Sequence, residues 1–354
     1  MVMQFMDRLG NVIWDGGPNV LASGTVNSLG EGWRHTPYQR MVGIDCQQDA
    51  TVTYKTWVWG ENRGNMPLEE DTNQPQKLFP DCIITRPFGS RSVDDPDIGL
   101  LDCGDVENKL GLSSHGTECN LDEGIVQKHP GSAIISIAAI KDEKEDRLKE
   151  IGNICTAIAD QLHDFKHLPA IELSIRCPNV KGGHASDTPE AINQVRKIKR
   201  TLPGLPVGIK DVATQDPHET LIILLESGAD FLPTSTSIPI GTVPDRIAWK
   251  KLGLERTRLD RLGKPNSGRG GYSGPAMIAL VEDHVKGVRD LGWEGWIIAG
   301  GGIRVINHAR RYLLAGGVAK TCISYGSIYL TPSARNAAKI KRYVIECHKQ
   351  GKVL

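Results

Sequence analysis

Residues 296–327 read WIIAGGGIRVINHARRYLLAGGVAKTCISYGS. Two short apolar runs, Trp296–Ala299 and Thr321–Tyr325, enclose a stretch with helical spacing, Asn307–Ala315. Runs of four or five apolar residues broken by glycine have strand length. A strand, a helix and a second strand in this order predict two parallel neighbours in one sheet. Each strand runs into small residues, Gly300-Gly301-Gly302 and Gly326-Ser327.

Working outward, six more runs of the same kind precede this unit: Asn19–Ser23, Thr51–Lys55, Ala133–Ala138, Ile171–Ile175, Pro206–Lys210 and Asp230–Thr234. Most lack strict in/out alternation, as expected of strands covered on both faces. Helical stretches lie between several of them, at Lys144–Leu168, Thr188–Arg200, His218–Ser227 and Ala276–Leu291. Asp187-Thr188-Pro189 is a helix-start signature. Eight strands alternating with helices predict an α/β fold of the (β/α)8 barrel class, a single domain over residues 1–354. An open doubly wound sheet is disfavoured, because the first βα turn reads ASGTVNSLG and lacks GxGxxG. Leu68–Val106, rich in Pro, Asp and Asn, reads as an inserted loop after strand two, with a short strand at Cys82–Thr85. Gly241–Ser267 is a second long loop, after strand six.

The chain has 354 residues, 39% hydrophobic, with 39 glycines, well above the usual ~7%. Forty-two basic residues balance 42 acidic ones, so the formal charge is zero. A general nucleic-acid or anionic-membrane binder normally carries a basic excess, and both partners lose weight. No apolar run approaches the ~20 residues of a membrane span. Met1–Asn11 contains Asp7 and Arg8 and does not read as a secretory signal. The eight cysteines show no CxxC spacing, so neither zinc nor an iron–sulfur cluster is expected, and reduced thiols point to the cytoplasm.

In a barrel the chemistry sits where strands end. Strand one ends in Ala22-Ser23-Gly24, strand two in Lys55-Thr56 and strand five in Lys210. Cys177-Pro178-Asn179 follows strand four, and Ser235-Thr236-Ser237 follows strand six. Glycine after both final strands suits a phosphate, because backbone N–H groups must approach it with no Cβ in the way. Lysines near a thiol favour its thiolate and stabilise an anion on a cofactor ring.

These segments resemble one family. IELSIRCPNV (171–180) is similar to the ELN-x-S-C-P-N segment of the class 1 dihydroorotate dehydrogenases. In the same order, VLASG (20–24) resembles N-A-S-G, VTYKTWVWGENRGNMP (52–67) resembles T-K-[ST] with G-N-x-P, and ENKLGL (107–112) resembles N-S-M-G-L. LPVGIK (205–210) resembles the strand with the second lysine. GRGGYSGPA (268–276), IIAGGGI (297–303) and YGSIY (325–329) resemble the phosphate-end segments. The resemblance covers roughly residues 19 to 335.

What it implies is an FMN barrel acting on a small molecule, soluble and homodimeric. Ala22, Ser23 and Gly24 would line the flavin, with Thr56 and Asn108 nearby. Lys55 and Lys210 would both reach the ring, where reduction places negative charge. Gly271, Gly301, Gly302, Gly326 and Ser327 would hold the ribityl phosphate end. Asn108, Gly111, Leu112, Ser174, Asn179, Thr236 and Ser237 would face the substrate. Cys177 would take a carbon-bound proton while a hydride passes to flavin N5, or the reverse, with Lys55 assisting.

Three departures stand out. Ser174 and the Thr236-Ser237 pair occupy positions where the family has asparagine, and a hydroxyl cannot make the two-point contact of a carboxamide. Arg176 places a positive charge directly before Cys177. The sequence therefore leaves three readings: a dihydroorotate dehydrogenase-like enzyme, a flavin enzyme for another small unsaturated molecule, and an inactive FMN-binding barrel. Three further features read as structure: His163 with His167, the basic run Arg196–Arg200 at a helix end, and Trp57 with Trp59, which either stack on a ring or pack the long loop.

Overall fold

The computed structural model describes residues 3–6, 9–70, 72–78, 80–86, 104–178, 187–234, 236–242, 246–247, 249–254, 259 and 270–354. Eight parallel strands form its centre: β1 Asn19–Leu21, β2 Val52–Trp57, β3 Ala133–Ile137, β4 Ala170–Ser174, β5 Val207–Lys210, β6 Phe231–Pro233, β7 Trp296–Gly300 and β8 Thr321–Tyr325. A helix follows each: α1 Thr36–Met41, α2 Thr117–Asp122, α3 Lys144–Asp160, α4 Thr188–Thr201, α5 Pro217–Ser227, α6 Ile278–Asp290, α7 Ile306–Gly316 and α8 Ala337–Gln350. The strands pair in the order β1-β8-β7-β6-β5-β4-β3-β2. Backbone bonds of 2.8 Å from Leu21 N to Thr51 O and from Thr51 N to Asn19 O bring β1 back to β2. The (β/α)8 barrel expected from the sequence is the fold. Among the described residues no helix is long and apolar enough to cross a membrane.

The strands do alternate, which corrects the sequence reading. Both faces are buried, so hydropathy alone hides the period of two. Outward-facing Tyr54, Ile135, Ile171, Leu173, Ile209 and Ile323 join the core shared with the helices. Inward-facing Val20, Ile134, Ala170, Phe231, Trp296, Ile298 and Cys322 fill the amino-terminal half of the barrel. A hairpin that the sequence reading missed, Met3–Met6 with Val12–Gly16, seals that pole. Met3 and Trp14 bury there, the Trp14 indole donates to Ala133 O at 3.1 Å, and Phe5 packs on Phe231. One layer higher the inward positions turn polar: Ser136, Glu172, Lys210 and Ser324.

Gly208, inward on β5, leaves space for the Phe231 ring: a Cβ built there would lie 2.3 Å from Cε2. Gly208→Val is expected to lower unfolding stability by about 1–3 kcal/mol, the usual cost of overpacking a filled core. Urea unfolding checks this, and an unchanged midpoint would show that the ring moves aside freely.

The helices face the barrel as their patterns require. In α4, Asp187 caps Glu190 N at 2.9 Å, and Ala191, Ile192, Val195 and Ile198 are buried. The basic end of α4 ties this helix to the next one. Arg196 donates to Glu226 O, and Lys199 donates to Gly228 O and pairs with Asp230. Those carbonyls end α5, where cations complement the helix dipole. Trp57 belongs to the core, fully buried, with its indole donating to Ser28 O at 3.2 Å.

Above the carboxyl-terminal pole lies a small antiparallel sheet, ordered Ile238–Pro239, Gly271–Ser273, Asp105–Asn108, Ile83–Arg86. The strand expected at Cys82–Thr85 lies one residue further on. This sheet joins the excursions after β2 and β6, so Asn108 faces Gly271 across a strand pair. Residues 87–103 of the insertion, and most of 243–269, lie outside the described residues.

Candidate active site

One cavity opens at the carboxyl ends of the strands. At one end it is lined by Lys55, Thr56, Asn108, Leu112, Ser174, Cys177, Lys210, Thr236 and Ser237. At the other it is lined by Gly301, Gly302, Arg304, Gly326 and Ser327, with Ala22, Ser23 and Gly24 also on its wall. Residues from seven strand ends thus meet in one space. Gly111 and Gly271 stand just behind the lining. Gly271 O accepts from Asn108 Nδ2 at 3.4 Å, and Gly111 O accepts from Asn62 Nδ2 at 2.9 Å. Asn179 lies outside the described residues.

Local structure explains how two consecutive residues, Lys55 and Thr56, both line the cavity. The β2–β3 register pairs Tyr54 with Ile135 but Trp57 with Ile137, so two β2 residues oppose the single Ser136. Such a bulge re-aims a side chain without ending the strand. Lys55 Nζ is buried and has no hydrogen-bond partner among the described residues. Burial pushes this ammonium down to about 8, against the opposing pull of Glu31 and Cys82. Lys210 is in a different condition. Its Nζ donates to Glu172 Oε1 at 2.7 Å and reaches Ser136 Oγ at 3.5 Å. Ser136 Oγ continues to Thr56 Oγ1 and then to Ser23 Oγ, each step 2.9 Å. A hydrogen-bonded chain therefore runs along the cavity floor from β5 to the end of β1.

Cys177 is half-buried and packs against Val58, Leu112 and Ala138. Arg176 does not leave a bare charge beside the thiol, as its sequence position suggests. Its guanidinium pairs with Asp211 Oδ1 at 2.8 Å, and Asp211 also accepts from Thr220 Oγ1. Asn108 Nδ2 donates to Ser237 Oγ at 3.0 Å, and Ser237 Oγ meets Ser273 Oγ at 3.0 Å. Thr236 Oγ1 and Ser324 Oγ are buried without partners among the described residues. Leu112 has a left-handed backbone, φ 57°. That conformation is uncommon for a branched side chain. Asn62, whose carboxamide donates to the carbonyls of both Gly111 and Leu112, holds it.

At the glycine end, Gly302 has φ 73°, and a Cβ there would lie 2.3 Å from Gly274 O. Only glycine fits that approach. Gly301 O accepts from the Tyr312 hydroxyl at 2.7 Å.

No family model matches the chain. Three curated relatives are the "Dihydroorotate dehydrogenase B (NAD(+)), catalytic subunit" of Listeria welshimeri, Citrifermentans bemidjiense and Enterococcus faecalis. The first is 28% identical over 59% of this chain and 62% of its own length. The second is 27% identical over 70% and 74%, and the third is 25% identical over 60% and 62%. The chain is thus similar to the catalytic subunits of dihydroorotate dehydrogenases. It spans under two thirds of the length of the Listeria and Enterococcus relatives.

Beside the residues of the family motifs, the structure brings in several that the sequence reading missed. Arg304 is fully buried. It donates to Gly104 O, Ile303 O, Ser273 O and Ser327 Oγ, binding together three segments around the glycine end. Its signal was a charged residue inside an apolar run directly after the glycines, GGGIR. Asn62 and Tyr312 carry no comparable signal, because their partners are distant backbone carbonyls.

Proposed function

We propose that this chain is an FMN-dependent oxidoreductase of the dihydroorotate dehydrogenase type, acting on a CH–CH or C=C pair of a small cyclic substrate. The observation that carries this is the convergence, in one cavity, of a thiol, two lysines and a glycine-built end. The residues fit FMN. A partnerless buried ammonium at Lys55 answers an electron-rich ring edge. Gly301, Gly302 and Gly326 line the cavity's other end with backbone, the kind of surface an anion approaches, and Arg304 adds positive charge there. Bound FMN supplies the hydride acceptor or donor.

The chain's own groups do the rest. Cys177 Sγ takes a proton from a substrate carbon, or returns one, at the cavity wall. Val58, Leu112 and Ala138 behind it limit water access on that side. Asn108, fixed by Ser237 and Gly271 O, presents its amide at a set angle. Lys210 is held by Glu172 and would offer its remaining donors to the ring.

A substrate other than dihydroorotate has specific support. Ser174 and Thr236 offer hydroxyls where the family has carboxamides, and the Asn108 amide nitrogen is already engaged within the protein. An imide ring would leave polar atoms unpaired, at ~1–3 kcal/mol each. The test is an anaerobic mixing series of the oxidised, flavin-loaded protein with dihydroorotate, other saturated cyclic imides, saturated lactams and saturated cyclic acids. Bleaching of flavin absorbance by a non-imide ring, faster than by dihydroorotate, is the expected result. Fast bleaching by dihydroorotate alone would overturn the second reading, and a wild-type protein that takes up no FMN would overturn the first.

A further inference from the structure

The two cavity lysines resemble one another in sequence, each ending a strand, but their surroundings differ. Lys210 sits 2.7 Å from the Glu172 carboxylate, and both are buried. They form an ion pair whose outward field is largely cancelled. Ser136, opposite Glu172 in the β3–β4 register, joins this pair to Thr56 and Ser23. Lys55, on the β2 bulge, is equally buried and has no hydrogen-bond acceptor among the described residues. Glu31 acts on it through space without a hydrogen bond. The interior of a protein screens charge weakly, so an unpaired ammonium there exerts a far stronger field than a paired one.

We propose that the two lysines divide the work: Lys55, which no carboxylate hydrogen-bonds among the described residues, supplies the positive charge that favours the reduced cofactor, while Glu172 neutralises Lys210 and fixes it as a hydrogen-bond donor. Glu172 is thus a positioning residue, acting on the cofactor through Lys210. This inference rests on the FMN reading above. It also separates roles that sequence motifs assign jointly to both lysines.

The measurement is the two-electron midpoint potential of FMN bound to the full-length protein, read against reference dyes during anaerobic reduction. The potential reports the ratio of affinities for reduced and oxidised FMN and needs no substrate. In Lys55→Met the ratio is expected to fall at least tenfold, about 30 mV downward. In Glu172→Gln, which releases the Lys210 charge, it should rise about tenfold. In the double variant Lys210→Met with Glu172→Gln, which removes the pair as a neutral unit, it should stay within about threefold of wild type. Sulfite affinity for the oxidised flavin, a second probe of positive charge at the ring, should follow the same order.

An unshifted potential in Lys55→Met, or a lowered one in Glu172→Gln, overturns the division of roles while leaving FMN binding intact. A wild-type protein that binds no FMN overturns the cofactor reading and this inference with it. The variants guard one another against misfolding, because Lys55→Met removes a buried charge without orphaning a partner, whereas Glu172→Gln keeps shape and hydrogen-bonding capacity.

Discussion

Cys177→Ser is expected to slow substrate-driven flavin reduction by about 10²- to 10⁴-fold, the range that a positioned acid or base contributes. Serine keeps the size and the site of the side chain, but its hydroxyl is a far weaker acid than a thiol. The loss should appear in the rate of flavin bleaching under anaerobic stopped flow, with substrate saturating. FMN content should be unchanged, since the glycine end is built from other segments, after β7 and β8. The substitution sets a hydroxyl against Val58, Leu112 and Ala138, and the thiol is only half-buried, so a small stability loss is expected. A variant that bleaches at the wild-type rate would remove Cys177 from the proton transfer and leave the proposed reaction without a named base.

The second large effect is on folding. Arg304→Met should reduce stability by about 3–5 kcal/mol. Methionine fills similar volume with no donors. The carbonyls of Gly104 and Ser273, which now receive the guanidinium, would lose that partner, and each orphaned buried group costs about 1–3 kcal/mol. Lysine should not rescue the loss, because one ammonium cannot span the planar fork that reaches three segments at once. Chemical unfolding of wild type, Arg304→Met and Arg304→Lys tests this. A loss under 1 kcal/mol in Arg304→Met would mean that water replaces the guanidinium at little cost. FMN affinity should fall in both variants, since Ser327 Oγ depends on the same guanidinium.

Much of the architecture was legible because the barrel strands are short apolar runs ending in small or charged residues. The βαβ unit 296–325 is observed as read, with boundaries shifted by a residue at most. The amino-terminal hairpin was not legible. MQFMDRLGNVIWDGG is too brief and mixed to announce a strand pair, and its purpose appears only when Met3 and Trp14 meet the barrel floor. The α8 helix, Ala337–Gln350, carries an amphipathic pattern that the strand-led reading passes over.

At the site, ordered motifs were enough to bring Lys55, Lys210, Cys177 and the paired glycines to one cavity. Long-range pairing was not visible. Nothing near Lys210 in the sequence predicts Glu172, 38 residues earlier, as its partner. Nothing beside Arg176 predicts that Asp211 would claim its charge. The β2 bulge was equally hidden, because register belongs to two strands and a sequence shows one at a time.

The tiered interior has a consequence for how this lineage changes. On β4 the inward residues climb from Ala170 through Glu172 to Ser174, from foundation to charge pair to cavity wall. A mutation in the uppermost storey reshapes the cavity and leaves the masonry below untouched, so that, on the function proposed above, it changes what is recognised. Diet and durability can therefore drift separately, and an ancestral scaffold can acquire a new taste without first surviving a weaker frame.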